Sequence, residues 1–381
     1  MELFTKDGRL MKANNYLTID DLYYSTVYGS GIYEWNRHEF VQDPLGGNNG
    51  KGLLSPLLTN LLTGESYFIK RINCNYTIHN KLKHRILNPP DRSNILWPSD
   101  MINLSDEQAA QCSLFVAQEY TEMPTPMNER KGNRALLFPY GGYPPMINGI
   151  RKLAQINQLS WKNPEIRNMA IQILHAMDSL NKCGYVYEDI HLSRFFFRDD
   201  GLAYLNYSNL VYSFKDFVSS DAITFCHVES GEYPIEFAEP AIVRGIQKNF
   251  DFNSQNYSLC ALLFYLFFGQ YCYDGRLLTG YVDDNIQKHY VKFRDYHKMP
   301  VFIFDPNDSQ NALGAFDEEQ QVIELWEECP PILRELFTLT LSQNNAERSG
   351  KVVNPPPSTW LRCFSQLGWI TKKNKNKEDE A

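Results

Sequence analysis

Apolar residues recur at helical spacing most regularly in the middle of the chain, where Ile166, Met169, Ile173, Leu174, Met177 and Leu180 fall on one stripe. Pro164 suits a first helical turn and Gly184 suits a helix end, so the pattern predicts a helix over 164–182. Residues 254–268 are apolar nearly all round, the pattern of a helix buried at the centre of a domain. Residues 147–158, 317–328, 332–342 and 357–367 are predicted as further amphipathic helices. The N-terminal third has a different rhythm. Residues 16–17, 23–28, 32–35, 67–72 and 114–120 are short aromatic or β-branched runs between Gly, Asn and Pro, which predicts strands. Residues 82–87 read as a short helix stopped by N-P-P, and 43–52 as a loop. The Pro- and Gly-rich stretch 122–145 reads as a connector. The expected fold class is α+β with two lobes: a β-rich lobe over 1–121, a helical lobe over 122–367, and a charged tail over 368–381.

Composition narrows the function classes. The chain has 381 residues, long for a single core, with 43% hydrophobic residues that mark it as globular. A net charge of -8 without a basic stripe argues against nucleic acid as a partner. The eight cysteines are scattered singly, the usage of reduced thiols in a reducing compartment. The N-terminus lacks the apolar region of a signal peptide, and the longest apolar run, 259–268, is about half of the ~20 residues that a spanning helix needs. A cytoplasmic protein with no membrane partner is expected.

The chemistry is concentrated in one stretch, 183–210. A helix leads into a loop bearing Glu188 and Asp189, then a strand at 194–197, a D-D-G turn, a second strand at 202–205 and a loop. Asp189 could accept a hydroxyl proton or cap the local backbone. Two upstream features stand beside it. Residues 28–34, Y-G-S-G-I-Y-E, place Gly29 and Gly31 between strands, as an ordinary turn or as a backbone that can approach phosphate. Residues 67–72, Y-F-I-K-R-I, put Lys70 in an apolar run where an ammonium is costly unless it is used or snorkels out. The histidines show no metal-binding spacing, and there is no G-x-S-x-G elbow.

These stretches together resemble a protein kinase: G-x-G at Gly29 and Gly31, the lysine strand V-A-I-K at Lys70, and the helix–loop–hairpin that carries the base at Asp189. The N-P-P and I-L-W-P stretches between 82 and 101, and 301–311, Trp326, Arg348 and Trp360 near the end, are similar to bacterial kinase-like proteins. Those proteins are associated with tellurium-resistance and von Willebrand A-domain/phosphatase gene clusters. The resemblance implies a bilobal kinase-like fold and ATP or ADP as ligand, with Gly29, Gly31, Lys70, Glu119, Arg194 and Asn206 around the nucleotide.

The chain departs from the pattern where the chemistry is most demanding. Glu34 takes the third glycine position. Arg194 stands for the metal-binding Asn, has no acceptor and cannot ligate Mg²⁺; it can pair with Asp189 or Glu188 or contact an anion. Asn206 stands for the metal-binding Asp, the H-R-D triplet reads Tyr187-Glu188-Asp189, and no Asp or Glu lies between Arg71 and Pro90. Ala241 replaces the acid of A-P-E, and Gln255 replaces the Asp of the buried helix. No metal site is therefore expected. The expected function is a pseudokinase that binds nucleotide, or partners such as an active kinase, a von Willebrand A-domain protein or a phosphatase. The alternatives are an atypical phosphotransferase using Lys70 and Asp189, and a ligand-free scaffold with an occluded pocket.

Overall fold

The computed structural model describes residues 23–26, 29–42, 54–74, 76–90, 95–104, 114–115, 132–139, 148–149, 159–187, 190, 195–197, 203–206, 211–213, 237–247, 250–276, 300–314, 316–342 and 353–370. Helices and strands are mixed, and the chain divides into two compact units, Met1–Ile147 and Asn148–Ala381. The architecture is α+β.

The first unit is built on one sheet. Its strands are β1 (Tyr23–Thr26), β2 (Gly29–Gln42), β3 (Leu54–Asn60), β4 (Ser66–Cys74), β6 (Asp100–Asn103), β7 (Leu114–Phe115) and β8 (Gly132–Pro139), with a short β5 (Ile95–Leu96) outside it. The order is β1-β2-β3-β4-β8-β6, all antiparallel, and β7 adds to β4 in parallel. β1 also contacts β6, so the sheet curls on itself. β2 carries a register shift between Asn36 and Phe40. One helix, α1 (Tyr76–Leu87), comes after β4 with a single residue between them. Cross-strand pairs bury Tyr33, Leu58, Tyr67, Ile69, Ile102, Ala135 and Leu137 as one cluster.

Gly132–Pro139 corrects the expected boundary at 121. Its run A-L-L-F is wholly buried, and the strand as a whole pairs with β4 from Tyr67 to Cys74, so this part of the expected connector is a central strand. Flanking prolines and glycines conceal it. β3 and β6 are hidden in the same way. Of the expected strand at 114–120 only Leu114–Phe115 falls among the described residues, and the expected strand at 16–17 and the loop at 43–52 fall outside them.

In the second unit α2 (Pro164–Lys182) matches its predicted bounds. Asn163 caps it by accepting the N–H of Glu165, Pro164 opens it, and Gly184 leaves it at φ 77°, in the left-handed region that glycine tolerates. A short α3 (Pro240–Val243) leads to α4 (Phe252–Phe268). Asp251 caps α4 through the N–H groups of Asn253 and Ser254, and Gly269 ends it at φ 68°. Its residues from Ser254 to Phe264 and from Leu266 to Phe268 are buried, as all-round apolarity requires. Packed on α4 are α5 (Gln320–Glu327) and α6 (Pro331–Leu341), and α7 (Pro357–Gln366) lies on α2. Phe264, Phe268, Phe302, Trp326 and Phe337 meet ring to ring at their junction.

Two further expectations change. The stretch 147–158, expected as a helix, begins as a strand: Asn148–Gly149 is β9, paired with β11 (Phe195–Phe197). The tail does not begin at 368, because Trp369 stacks near Trp161 and packs edge-on to Phe267, so the unit runs to at least Ile370.

Candidate functional site

β4 sets the register of the candidate site. Alternation along a strand places the Phe68 and Lys70 positions on one face and Tyr67 and Ile69 on the other. On the Lys70 face, Phe68 stands opposite Leu57 of β3 and Phe138 of β8, while Lys70 stands opposite Leu136, itself opposite Met101 of β6. Phe68 and Phe138 are fully buried and stack with ring centroids 5.0 Å apart and planes at 9°. Leu57, Leu136 and Met101 are buried as well. This face is a closed apolar floor, and Lys70 is the one charged position that β4 contributes to it.

The opposite face is polar at its margin. Tyr33 meets Tyr67 edge-on at 6.1 Å, and the Tyr67 hydroxyl donates to Glu65 Oε2 at 2.7 Å. Burial, reinforced by the negative charge of Asp100, pushes the Tyr33 phenol up to about 12. Burial and the bond to Glu65 raise Tyr67 further.

α1 is the helix directly after the lysine strand. Its sequence, Y-T-I-H-N-K-L-K-H-R-I-L, contains no carboxylate, and Leu82, Arg85 and Ile86 are buried. The Trp97 indole N–H donates to the Arg85 carbonyl at 3.1 Å and anchors its C-terminal turn.

Gly29 and Gly31 are strand residues. They pair with Thr26 and Tyr24, so the chain reverses between Thr26 and Gly29 and G-S-G is part of the ladder. Glu34 pairs with Thr59. Asn206 is the last residue of β12 (Ala203–Asn206), the partner of β11. Asp189, Arg194, Glu119 and Arg348 lie outside the described residues. Among the described residues no group of three His, Cys, Asp or Glu could hold a metal ion, and no helix is long and apolar enough to cross a membrane.

The strand before Asp189, β10 (Tyr185–Tyr187), is completely buried and pairs with β13 (Val211–Ser213). Its last N–H, from Tyr187, donates to Gln255 Oε1 at 2.7 Å, and Gln255 Nε2 donates to Asn181 Oδ1 at 2.7 Å. One neutral amide on α4 thus ties the end of α2 to the strand that enters the Asp189 segment. Nearby, Ser254 donates its hydroxyl to the buried Glu239 at 2.7 Å and accepts from Gln247 Nε2 at 2.8 Å. Glu239 therefore brings a carboxylate two residues before Ala241. Sequence reasoning misses Phe68, Phe138, Asn181 and Glu239; the signal for Phe68 is a bulky ring two positions before the lysine.

No protein-family model matches the chain. No curated protein matches it. The functional reading therefore rests on the geometry and on the resemblance of the motifs.

Proposed function

We propose that the chain is a catalytically deficient protein of kinase-like fold that works by binding other proteins. The observation that carries this reading is α1: the helix directly after the Lys70 strand offers no carboxylate along its whole length. In a kinase a glutamate of that helix pairs with the strand lysine and sets it on the phosphates. The strand order supports the fold, since β2-β3-β4 form consecutive antiparallel neighbours and β8 separates β4 from β6, with α1 in the β4–β6 connection. Gln255 in the bracing position, Arg194 and Asn206 extend the loss of carboxylates and metal ligands to independent places. The partner class that the resemblance implies is an active kinase, a von Willebrand A-domain protein or a phosphatase.

Nucleotide binding is the second reading, favoured by one feature. Residues 43–53, which join β2 to β3 in the hairpin before the lysine strand, contain Gly46, Gly47, Gly50 and Gly52, and a backbone without side chains can approach phosphate. Labelled-phosphate transfer from ATP with Mg²⁺ or Mn²⁺ tests the deficiency, and none is expected. Transfer that disappears in Asp189→Ala overturns the proposal and makes the chain a phosphotransferase.

A further inference from the structure

We infer that the surface around α5 is a docking site for a basic, arginine-bearing segment of a partner protein that also carries an apolar anchor. The inference stands apart from the kinase-like reading, because it uses no residue of the Lys70 strand, α1 or the Asp189 segment. Charge is the first observation. Residues 299–333 contain eight carboxylates and no lysine or arginine, so this one stretch carries as much negative charge as the net -8 of the whole chain. Asp317, Glu324, Glu327 and Glu328 among them are exposed, and the pairing of Glu328 with Lys162 offsets one charge of the eight. Apolar surface is the second observation. Phe304 and Trp326, both half-buried, stack with ring centroids 4.5 Å apart and planes at 1°. Ile323, one turn before Trp326, is half-buried too and borders Gly314, where an added Cβ would lie 4.0 Å from Ile323 Cδ1. Phe316, two residues on, is 51% exposed. The apolar side chains from Phe304 to Phe316 therefore form one patch, which scattered surface residues do not. Glu319 Oε2 accepts the N–H groups of Gly314 at 2.7 Å and Phe316 at 3.3 Å, so the turn that displays Phe316 is already fixed and loses little freedom on contact. An aromatic centre with a charged rim is the anatomy of a protein interface, and the sign of the rim selects the partner. Arginine suits both parts, since a guanidinium pairs with carboxylates and stacks on rings, as Arg167 sits over Trp369 at 5.1 Å in the same unit. The same field repels nucleic acid and anionic lipid.

The test is fluorescence anisotropy of the full chain with labelled peptides: an arginine–leucine repeat, its glutamate–leucine counterpart, and an arginine–serine repeat that lacks the apolar anchor. The arginine–leucine peptide should bind wild type, and less tightly as salt rises, whereas the glutamate peptide should not bind. Glu324→Gln with Glu327→Gln should weaken binding several-fold. Glu65→Gln with Glu165→Gln removes the same charge from exposed positions elsewhere and should leave binding unchanged. Phe316→Ser alters no charge and no buried side chain, and it should cost about tenfold, bringing the arginine–leucine peptide close to the arginine–serine one. All of these substitutions fall on exposed side chains, and circular dichroism checks that each variant is folded. Equal losses in the two double variants would reduce the effect to net charge and overturn the inference. A Phe316→Ser variant that binds as wild type does, a glutamate peptide that binds as well as the arginine one, or no binding by wild type at low salt overturns it too. Phosphate transfer by the chain, which would sink the proposed deficiency, leaves this result untouched.

Discussion

Replacing Gln255 by Leu removes one side chain that holds two others. Gln255 is fully buried on α4, and its amide accepts from the Tyr187 N–H and donates to Asn181 Oδ1, both at 2.7 Å. Leucine has nearly the same volume, so the packing term is small and the polar term decides. The buried Tyr187 N–H left without this bond costs about 1–3 kcal/mol, the half-buried Asn181 amide costs less because water can reach it, and apolar burial of the leucine returns part of the total, so the variant should lose about 1–3 kcal/mol. Urea unfolding followed by tryptophan fluorescence measures the total, and amide exchange localises it, because residues 185–187 should exchange faster while the first turns of α2 stay protected. Gln255→Glu serves as the control. A carboxylate keeps the acceptor for Tyr187, but when ionised it has no donor for Asn181 and puts a charge in a buried place. Its folded-state pKa is raised by burial, so its stability is present at low pH and lost as pH rises through that value. A Gln255→Leu variant within about 1 kcal/mol of wild type, with unchanged exchange at 185–187, would falsify the idea that this amide holds the entry to the Asp189 segment.

Gly275→Ala should be among the most damaging single-methyl additions in the second unit, because the new Cβ would lie 2.0 Å from the Asn311 carbonyl oxygen and 2.9 Å from Ile303 Cγ2. Asn311 Nδ2 bonds the carbonyls of Tyr273 and Val301 at 2.7 Å each, so the backbone has little freedom to retreat, and a loss of about 2–3 kcal/mol in urea unfolding is expected; an unchanged midpoint would show that the segment gives way. Alkaline pH should unfold the chain early: Cys329 moves from 9.0 to about 12 and Tyr33 from 10.0 to about 12, both mainly by burial, and Tyr67 is raised as well. Folded-state values above unfolded ones mean stability that is full below about pH 9 and lost as pH climbs through about 12. Melting temperatures from pH 8 to 11 should therefore fall more gently in Tyr33→Phe than in wild type, and parallel curves would refute the assignment.

Helices are legible where one face or the whole surface is apolar and a cap stands at each end. The bounds of α2 come from Pro164 and Gly184, and α4 is marked by its apolar run 259–268, while its polar first turns are set by the Asp251 cap. Strands are harder, for a physical reason. β3, β6 and β8 each bury consecutive residues, and so both faces, for part of their length, and no alternation of polar and apolar residues marks them. Prolines and glycines beside β8 then give it the composition of a connector. Gly29 and Gly31 mislead in the opposite direction: glycine suggests a turn, yet cross-strand pairing holds both in a ladder that reverses just before them.

The candidate site is legible in its losses more than in its contents. The absence of acid on α1 can be read from residues 76–87 without any structure, since no fold can supply a carboxylate that the helix lacks. The effect of those losses on the fold cannot be read that way, because compensation is a matter of geometry. An anchoring carboxylate and a glutamine differ by one charge, but either oxygen can receive a backbone N–H, and Gln255 does so at 2.7 Å. The brace on the Asp189 segment therefore needs no charge. A neutral acceptor also avoids the desolvation cost of a buried anion, so the Tyr187 N–H is satisfied in the interior without a charge.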